Sequence, residues 1–200
     1  MPSEVLARLQ AGNDRFASGR PLERDLLEQA TATAAGQNPY AAVLSCIDSR
    51  VPVEIVLDVG LGEVFVARSA GNVVDDDVIG GFEFATELVG VKLIVVLGHT
   101  GCGAVAGACD GVELGHLTQL LAKIQPAVDA EAGDGPSPGS ADSTFARRVV
   151  ERNIANSVRT LTEQSELLAA RVASGDLMIV AGVYDLESGR ISWLTDSTDD

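Results

Sequence analysis

Four short apolar runs divide the chain into strand-like and helix-like segments. Each run is rich in Val, Ile, Leu or Ala and ends at glycine or polar residues, as buried strands typically do. The predicted strands are residues 41–46, 63–68, 92–98 and 177–184. The predicted helices after the first strand are residues 53–58, 77–89, 103–108, 114–128 and 143–174. Strands that alternate with helices predict an α/β fold, with helices on both faces of a mostly parallel sheet.

The N-terminal residues 1–36 are predicted to form a helical arm. Apolar residues recur with helical spacing over residues 3–17, and a second helix is predicted over residues 22–35, with Gly36 as its stop. The apolar face of the first helix contains Val5, Leu6, Leu9 and Phe16.

Length and composition predict a single domain over residues 1–200. The chain has 200 residues, of which 46% are hydrophobic, and this is enough for one core. Residues 133–140 are rich in Gly, Pro and Ser and predict a surface loop that is too short to link two domains. Residues 196–200 are polar, and we expect them to form a frayed tail.

The net charge and the cysteines limit the partners and the compartment. A formal charge of −15 disfavours binding to nucleic acid or to anionic membranes, since both need a basic surface. No apolar stretch approaches the roughly 18 residues of a membrane span, and the first residues lack the pattern of a signal peptide. Three cysteines do not suggest a disulfide framework, so we expect a cytoplasmic, reducing location.

Two cysteines and one histidine stand where a metal site is expected. Cys46 ends the first predicted strand, His99 follows the third, and Cys102 comes three residues later. Alone, each cysteine would be interpreted as a small buried apolar residue. Together with the histidine they have the donor chemistry and spacing of zinc ligands. Three protein ligands leave the fourth position open, as in catalytic zinc sites, and we expect one Zn²⁺ per chain.

This ligand set also constrains the sheet. Cys46 and His99 lie at the carboxyl ends of the first and third strands, and both must contact one ion. The first and third strands should therefore be neighbours, which predicts the strand order 2-1-3-4. The site then lies at the carboxyl edge of the sheet, where open α/β sheets usually bind their ligands.

A charged pair follows the first metal ligand. Two thiolates neutralise the charge of Zn²⁺, so a bound water is harder to ionise than at an all-histidine site. Arg50 is placed to hold Asp48 by two parallel hydrogen bonds, and we expect the carboxylate to stay ionised, off the metal, and to orient the water. The alternative is an ion pair with a purely structural role.

These motifs together resemble the β-class carbonic anhydrases. The resemblance rests on Cys46-x-Asp48-x-Arg50, on His99-x-x-Cys102 and on Phe65-Val-Ala-Arg-Ser-Ala-Gly-Asn72, and it extends from about Arg15 to Trp193. It implies zinc-dependent reversible hydration of CO₂ to bicarbonate and a proton, with Asp48 and Arg50 as the catalytic pair. It also implies a homodimer or homotetramer, in which the N-terminal helices pack on a partner subunit.

The resemblance implies a small substrate pocket as well. Val51, Phe65 and Phe84 correspond to residues that line it, although from the sequence alone they would be ordinary core residues. Gly103 begins a predicted helix, and its backbone N–H is a candidate ligand for bicarbonate.

Two further positions indicate one branch of the family. Gln37, nine residues before Cys46, corresponds to a glutamine that reaches the substrate from the neighbouring subunit. Val43 stands where the bicarbonate-regulated branch has a tryptophan. The resemblance therefore favours the branch with the pocket glutamine, in which the aspartate stays paired to arginine.

Two other functions stay open on the sequence alone. One is a related zinc enzyme that acts on a CO₂-like molecule such as carbon disulfide. The other is a non-enzymatic, zinc-stabilised interaction module, although such a module has no need of the Asp48–Arg50 pair. His116 has the pKa range of a proton shuttle, but a surface position at a helix start is the preferred interpretation. Cys109 is expected to be inert.

Overall fold

A five-stranded sheet lies at the centre of residues 1–194, the part of the chain that this computed structural model describes. The strands are Ala41–Ser45 (β1), Val64–Arg68 (β2), Leu93–His99 (β3), Met178–Tyr184 (β4) and Ile191–Leu194 (β5). Their order is β2-β1-β3-β4-β5, with β5 antiparallel to β4 and the other pairs parallel. The predicted α/β class and the order 2-1-3-4 are confirmed, and β5 is an addition to it. The predicted frayed tail, residues 196–200, lies outside the described residues.

The helices lie where the sequence predicts them, but several of them begin or end at other residues. Two long predicted helices, 114–128 and 143–174, are each divided in two. At Ser165 the backbone is extended, and the hydroxyl accepts a hydrogen bond from Leu168 N–H, so a new helix starts there. The α-helices are Pro2–Ala17 (α1), Leu26–Thr33 (α2), Val53–Val56 (α3), Asp76–Glu83 (α4), Gly103–Cys109 (α5), Gly115–Ala122 (α6), Gln125–Ala132 (α7), Ser143–Gln164 (α8) and Glu166–Ala173 (α9).

Two irregular helical segments complete the fold. A π-helix, Phe84–Val89, continues α4, so the predicted helix 77–89 changes type half-way along. A 3₁₀ turn, Ala70–Asn72, follows β2. π-helical segments are uncommon and are often found at functional sites.

Each face of the sheet buries its own apolar cluster. Along β1, Ala42 and Leu44 belong to the cluster covered mainly by α8, whereas Ala41 and Val43 belong to the cluster covered by α1 and α3. All four residues are fully buried. The continuous apolar character of β1 follows from this arrangement, because both of its faces are covered.

The N-terminal arm has one anchored helix and one exposed helix. In α1, Leu9 is fully buried, and the buried Asn13 accepts a hydrogen bond from Ile191 N–H (2.8 Å) and donates one to the Val56 carbonyl (3.1 Å). Within the described chain α2 buries no residue, and Leu27 is 78% exposed. Packing of the arm on a partner subunit stays a prediction.

Among residues 1–194, none of the helices has both the length and the apolar character that crossing a membrane requires.

Candidate metal centre

The carboxyl ends of β1 and β3 bring three donor atoms together. Cys46 directly follows β1 and His99 is the last residue of β3, and these strands pair side by side. The chain then turns at Gly101, where φ is +63°, and Cys102 caps α5. The donor atoms of Cys46, His99 and Cys102 all lie within 4.8 Å of one another, and the two sulfurs are 4.0 Å apart. All three side chains are buried.

The hydrogen bond of His99 fixes which ring nitrogen faces the cysteines. Nδ1 lies 2.9 Å from the Thr100 carbonyl oxygen, which only accepts, so Nδ1 carries the proton. Nε2 then has a free lone pair. It is buried and lacks a hydrogen-bond partner within the described chain. A buried, unpaired lone pair beside two thiols is an arrangement that a bound cation satisfies.

The donor set fits zinc. Two sulfurs bound at about 2.3 Å in a tetrahedron lie roughly 3.8 Å apart, close to the separation of the Cys46 and Cys102 sulfurs. Thiolate and imidazole ligands favour zinc over magnesium or calcium, which prefer oxygen. Three donors also leave one position open, as catalytic zinc requires.

The two thiols share their protons unequally. The pKa of Cys46 is lowered because Cys102 donates a hydrogen bond to its sulfur, with support from the backbone N–H groups of Asp48 and Gly71. The pKa of Cys102 is raised because its proton is held in that hydrogen bond and because the thiol is buried. The two sulfurs therefore share one proton between them, and the pair offers a thiolate to a metal.

Asp48 and Arg50 form a two-pronged ion pair beside the donors. Arg50 Nε donates to Asp48 Oδ1 (2.9 Å) and Nη2 donates to Oδ2 (2.7 Å). The Arg50 backbone N–H also donates to Oδ1 (2.9 Å). These bonds hold the pKa of Asp48 well below its usual range. Asp48 Oδ2 lies 3.8 Å from His99 Nε2, so the ionised carboxylate faces the open side of the donor cluster.

Arg68 is a site residue to which the sequence analysis gave no role. Its Nε donates to the Cys46 carbonyl (2.8 Å) and its Nη2 to the Asp48 carbonyl (2.5 Å), so one guanidinium holds the backbone on both sides of Ile47. The parallel register places Arg68 opposite Ser45, which is next to Cys46. Its position at the end of β2 is the signal in the sequence that points to this role.

The residues expected to line the pocket do not all lie together in a single chain. Phe65 and Phe84 pack edge to face, with ring centroids 6.0 Å apart, and Phe84 is 48% exposed. Val51 is fully buried, and its N–H donates to the Asp48 carbonyl. Gly103 is exposed at the start of α5, close to the donors. Gln37 is exposed and precedes β1, so it lies at the amino end of this strand, whereas Cys46 lies at its carboxyl end.

The other two candidates lie outside the cluster. His116 is exposed near the start of α6, which is the surface position that the sequence favoured. Cys109 is buried at the end of α5 and is not one of the three clustered donors.

Comparison with known proteins gives one consistent family. Residues 41–191 match the family described as Carbonic anhydrase. The chain is 37% identical over 195 residues to "Carbonic anhydrase 2" of Mycobacterium tuberculosis (strain CDC 1551 / Oshkosh), covering 94% of this chain and 91% of that protein. It is 31% identical to "Carbonic anhydrase" of Pseudomonas aeruginosa, covering 80% and 76%.

Solved structures agree with these sequence relatives. One of two tetrameric β-carbonic anhydrases from Sordaria macrospora superposes with a TM-score of 0.72 at 28% identity, covering 82% of this chain and 84% of that one. A β-carbonic anhydrase of Aspergillus fumigatus superposes with a TM-score of 0.73 at 26% identity, covering 96% and 89%.

Proposed function

The chain belongs to the carbonic anhydrase family, is an enzyme of its β class, and we propose that it hydrates CO₂ reversibly to bicarbonate and a proton at a zinc ion. Cys46, His99 and Cys102 would hold the ion. The observation that carries the proposal is the buried donor cluster with an ionised carboxylate 3.8 Å from its imidazole. When bound in such a site, zinc lowers the pKa of a water and supplies hydroxide near neutral pH.

Asp48 and Arg50 are proposed as the catalytic pair. Asp48 accepts a hydrogen bond from the attacking water and orients it towards the carbon of CO₂. Arg50 holds both carboxylate oxygens, so Asp48 stays ionised and does not swing towards the cysteines. Arg68 keeps the backbone of Cys46 and Asp48 in a fixed relation, and this supports both roles.

The substrate pocket is proposed to form between subunits. Phe65, Phe84 and Val51 would provide its apolar wall, and the Gly103 N–H would bind the bicarbonate product. Gln37 would come from the partner, because β1 separates it from Cys46 of its own chain by five strand residues, roughly 16 Å. A homodimer or homotetramer is the assembly that this pocket requires, and the relative from Sordaria macrospora is tetrameric.

The branch with the pocket glutamine is the one we propose. Asp48 is bonded to Arg50 in this structure, and Val43, which stands in place of the tryptophan, is fully buried in the core. With Asp48 held by Arg50, a zinc ion bound by Cys46, His99 and Cys102 would keep its fourth position free for water.

The extent of the core and the state of the cysteines bear on domain organisation and location. The two apolar clusters draw residues from Leu9 to Ile191, and this supports a single domain over residues 1–200. All three cysteines are free, which supports a reducing compartment, the cytoplasm.

Zinc removal and restoration test the proposed function. The purified protein should contain about one zinc per chain and should hydrate CO₂ in a stopped-flow assay with a pH indicator. Dialysis against a chelator should abolish this activity, and added Zn²⁺ should restore it. A metal-loaded protein that leaves CO₂ unreacted but hydrolyses carbon disulfide would contradict the proposed substrate.

A further inference from the structure

The 3₁₀ turn Ala70–Asn72 presents a backbone donor to a metal-ligand sulfur. Gly71 N–H lies 3.3 Å from Cys46 Sγ. To do so, Gly71 and Asn72 both adopt left-handed backbone conformations, with φ of +67° and +47°. A β-carbon at residue 71 would lie 2.6 Å from Ile124 Cδ1, so no other residue fits without a shift. Such a turn persists only where its surroundings hold it.

Two side chains of α8 hold this turn by its carbonyl oxygens. Asn153 Nδ2 donates to the Gly71 carbonyl (2.8 Å), and Ser157 Oγ donates to the Asn72 carbonyl (3.1 Å). The two residues are four positions apart, so they share one face of the helix. Their exposed fractions are only 3% and 5%. Buried donors are costly unless they are paired, and each of these is paired with the turn.

Ile154, on the same helix α8, packs against β3, the strand that ends at His99. A β-carbon at Gly98 would lie 2.5 Å from Ile154 Cδ1, so the isoleucine packs directly on the backbone beside His99. Ile154 is fully buried. One helix therefore contacts both the turn behind Cys46 and the end of the strand that carries His99.

We propose that Asn153 and Ser157 are positioning residues of the metal centre. By holding the 70–72 turn, they aim the Gly71 N–H at Cys46 Sγ and so fix the sulfur for metal binding. This inference rests on the proposed function, because it takes Cys46, His99 and Cys102 as the ligands. Groups that orient ligands in this way typically contribute about tenfold or more to metal affinity.

The test measures metal binding directly rather than turnover. Asn153→Ala and Ser157→Ala each remove one donor to the turn. Ser157→Thr is the conservative variant, because it keeps a hydroxyl at this position. Leu161→Ala is the matched control, since Leu161 is fully buried on the same helix, one turn beyond Ser157. For each protein, the visible and thiolate charge-transfer bands of the Co²⁺ form are recorded. The rate at which the Zn²⁺ form loses metal to a chelator is also measured.

We expect the two alanine variants to release zinc about tenfold faster than wild type and to show altered cobalt bands. Ser157→Thr should return towards wild type. Leu161→Ala should lower the melting temperature but keep wild-type bands and release. If Asn153→Ala does not fold, the comparison of Ser157→Ala with Ser157→Thr decides.

Two results would overturn the inference in different ways. Alanine variants with wild-type cobalt bands and release rates, next to a wild type that binds metal, would overturn the positioning role alone. A wild-type protein that takes up neither Co²⁺ nor Zn²⁺ would overturn the proposed function, and the positioning role with it.

Discussion

Among the single residues of the site, Asp48 is held by three hydrogen bonds from one neighbour, Arg50. Its side chain is 15% exposed and would be easier to protonate in that position without a partner. Three hydrogen bonds from Arg50 keep it ionised instead. Arg50 is itself 57% exposed, so replacing it need not disturb the core.

Arg50→Ala is therefore expected to keep zinc and to lose CO₂ hydration by roughly 100-fold, a typical contribution of an oriented acid–base group. The pKa of Asp48, which Arg50 lowers, should rise towards its usual value. Because the ionised form is the active one, the residual activity should fall off at a higher pH than in wild type. Stopped-flow pH profiles and metal analysis measure both effects. The exposed Arg147→Ala serves as the control, and undiminished activity of Arg50→Ala would remove the pair from the mechanism.

The free cysteines provide a matched pair of variants for the ligand assignment. Cys102→Ser should empty the site and lower stability, since metal binding is coupled to the folded state. Cys109→Ser changes a cysteine that is equally buried, at 4% exposed, but lies outside the donor cluster. It should keep about one zinc per chain. Full zinc occupancy in Cys102→Ser, measured by elemental analysis, would exclude Cys102 as a ligand.

The metal-donor residues and the Asp48–Arg50 pair were predictable from the sequence. The residues that position their backbone, such as Arg68 and Asn153, were not. Thiols, an imidazole and an Asp–Arg pair at strand ends have few other uses, so spacing alone was informative. Arg68 acts on backbone carbonyls 20 and 22 positions away, and Asn153 on one 82 positions away. An arginine or asparagine that bonds to a distant carbonyl has no local pattern, because any backbone offers the same acceptor.

Among the elements, the N-terminal arm is tied to the turn after α3 by a buried carboxylate, that of Asp58. Asp58 is 2% exposed and accepts hydrogen bonds from Arg15 Nε (2.5 Å), from Arg24 and from Leu22 N–H (3.2 Å). Burial opposes its ionisation, but the bonds from Arg24 and Arg15 outweigh burial and lower the pKa of Asp58. One side chain thus connects α1 and the segment before α2 to the turn after α3.

Asp58→Asn is expected to destabilise the protein by about 3 kcal/mol at neutral pH, the low end for breaking a buried ion pair. The folded-state pKa is lowered, so this stability is fully present above the unfolded pKa of about 3.9 and is lost as the pH falls through the folded value. The difference from wild type in urea unfolding should therefore shrink in acid. Glu151→Gln, which breaks an exposed pair with Arg147, should change stability by less than about 0.5 kcal/mol. A pH-independent difference for Asp58→Asn would contradict the ion-pair account.

Elements were predictable where burial made their pattern long and apolar. β1 and β3, which are buried along their whole length, are of this kind, and the need to join Cys46 to His99 made them neighbours. β5 has only four residues, which is too short for a clear alternating pattern. The glycine at residue 189, which adopts a φ of +71° in the turn before β5, was the available sign of a hairpin. The division of α8 from α9 depends on the Ser165 cap, and a serine within an apolar helical pattern did not reveal it. The π-helix has no distinct period in the sequence.

At the scale of the whole molecule, one chain leaves the site open. β2 is an edge strand of the sheet, none of its residues is buried, and Phe84, packed on it, is half exposed. Ile47, next to Cys46, is 60% exposed. Gln37 lies at the amino end of the strands, away from the donors of its own chain, so the proposed role of Gln37 requires a symmetric partner.

Mixing of two inactive proteins tests this shared site. Under the proposed arrangement, Gln37→Ala removes the glutamine that a chain supplies to the site of its partner, and Asp48→Asn removes the carboxylate of the chain's own site. Each homo-oligomer should lose most activity. In a mixed dimer, one site combines an intact Asp48 with an intact Gln37 from the other chain, and the second site lacks both.

Because random exchange makes half of the dimers mixed, about a quarter of all sites should regain wild-type composition. Activity should therefore rise after the two proteins are unfolded together and refolded, up to about a quarter of the wild-type value. Each variant refolded alone is the control for the procedure. If each site drew its glutamine from its own chain, no pairing could combine intact Gln37 with intact Asp48, and the mixture would stay at the mean of its two components.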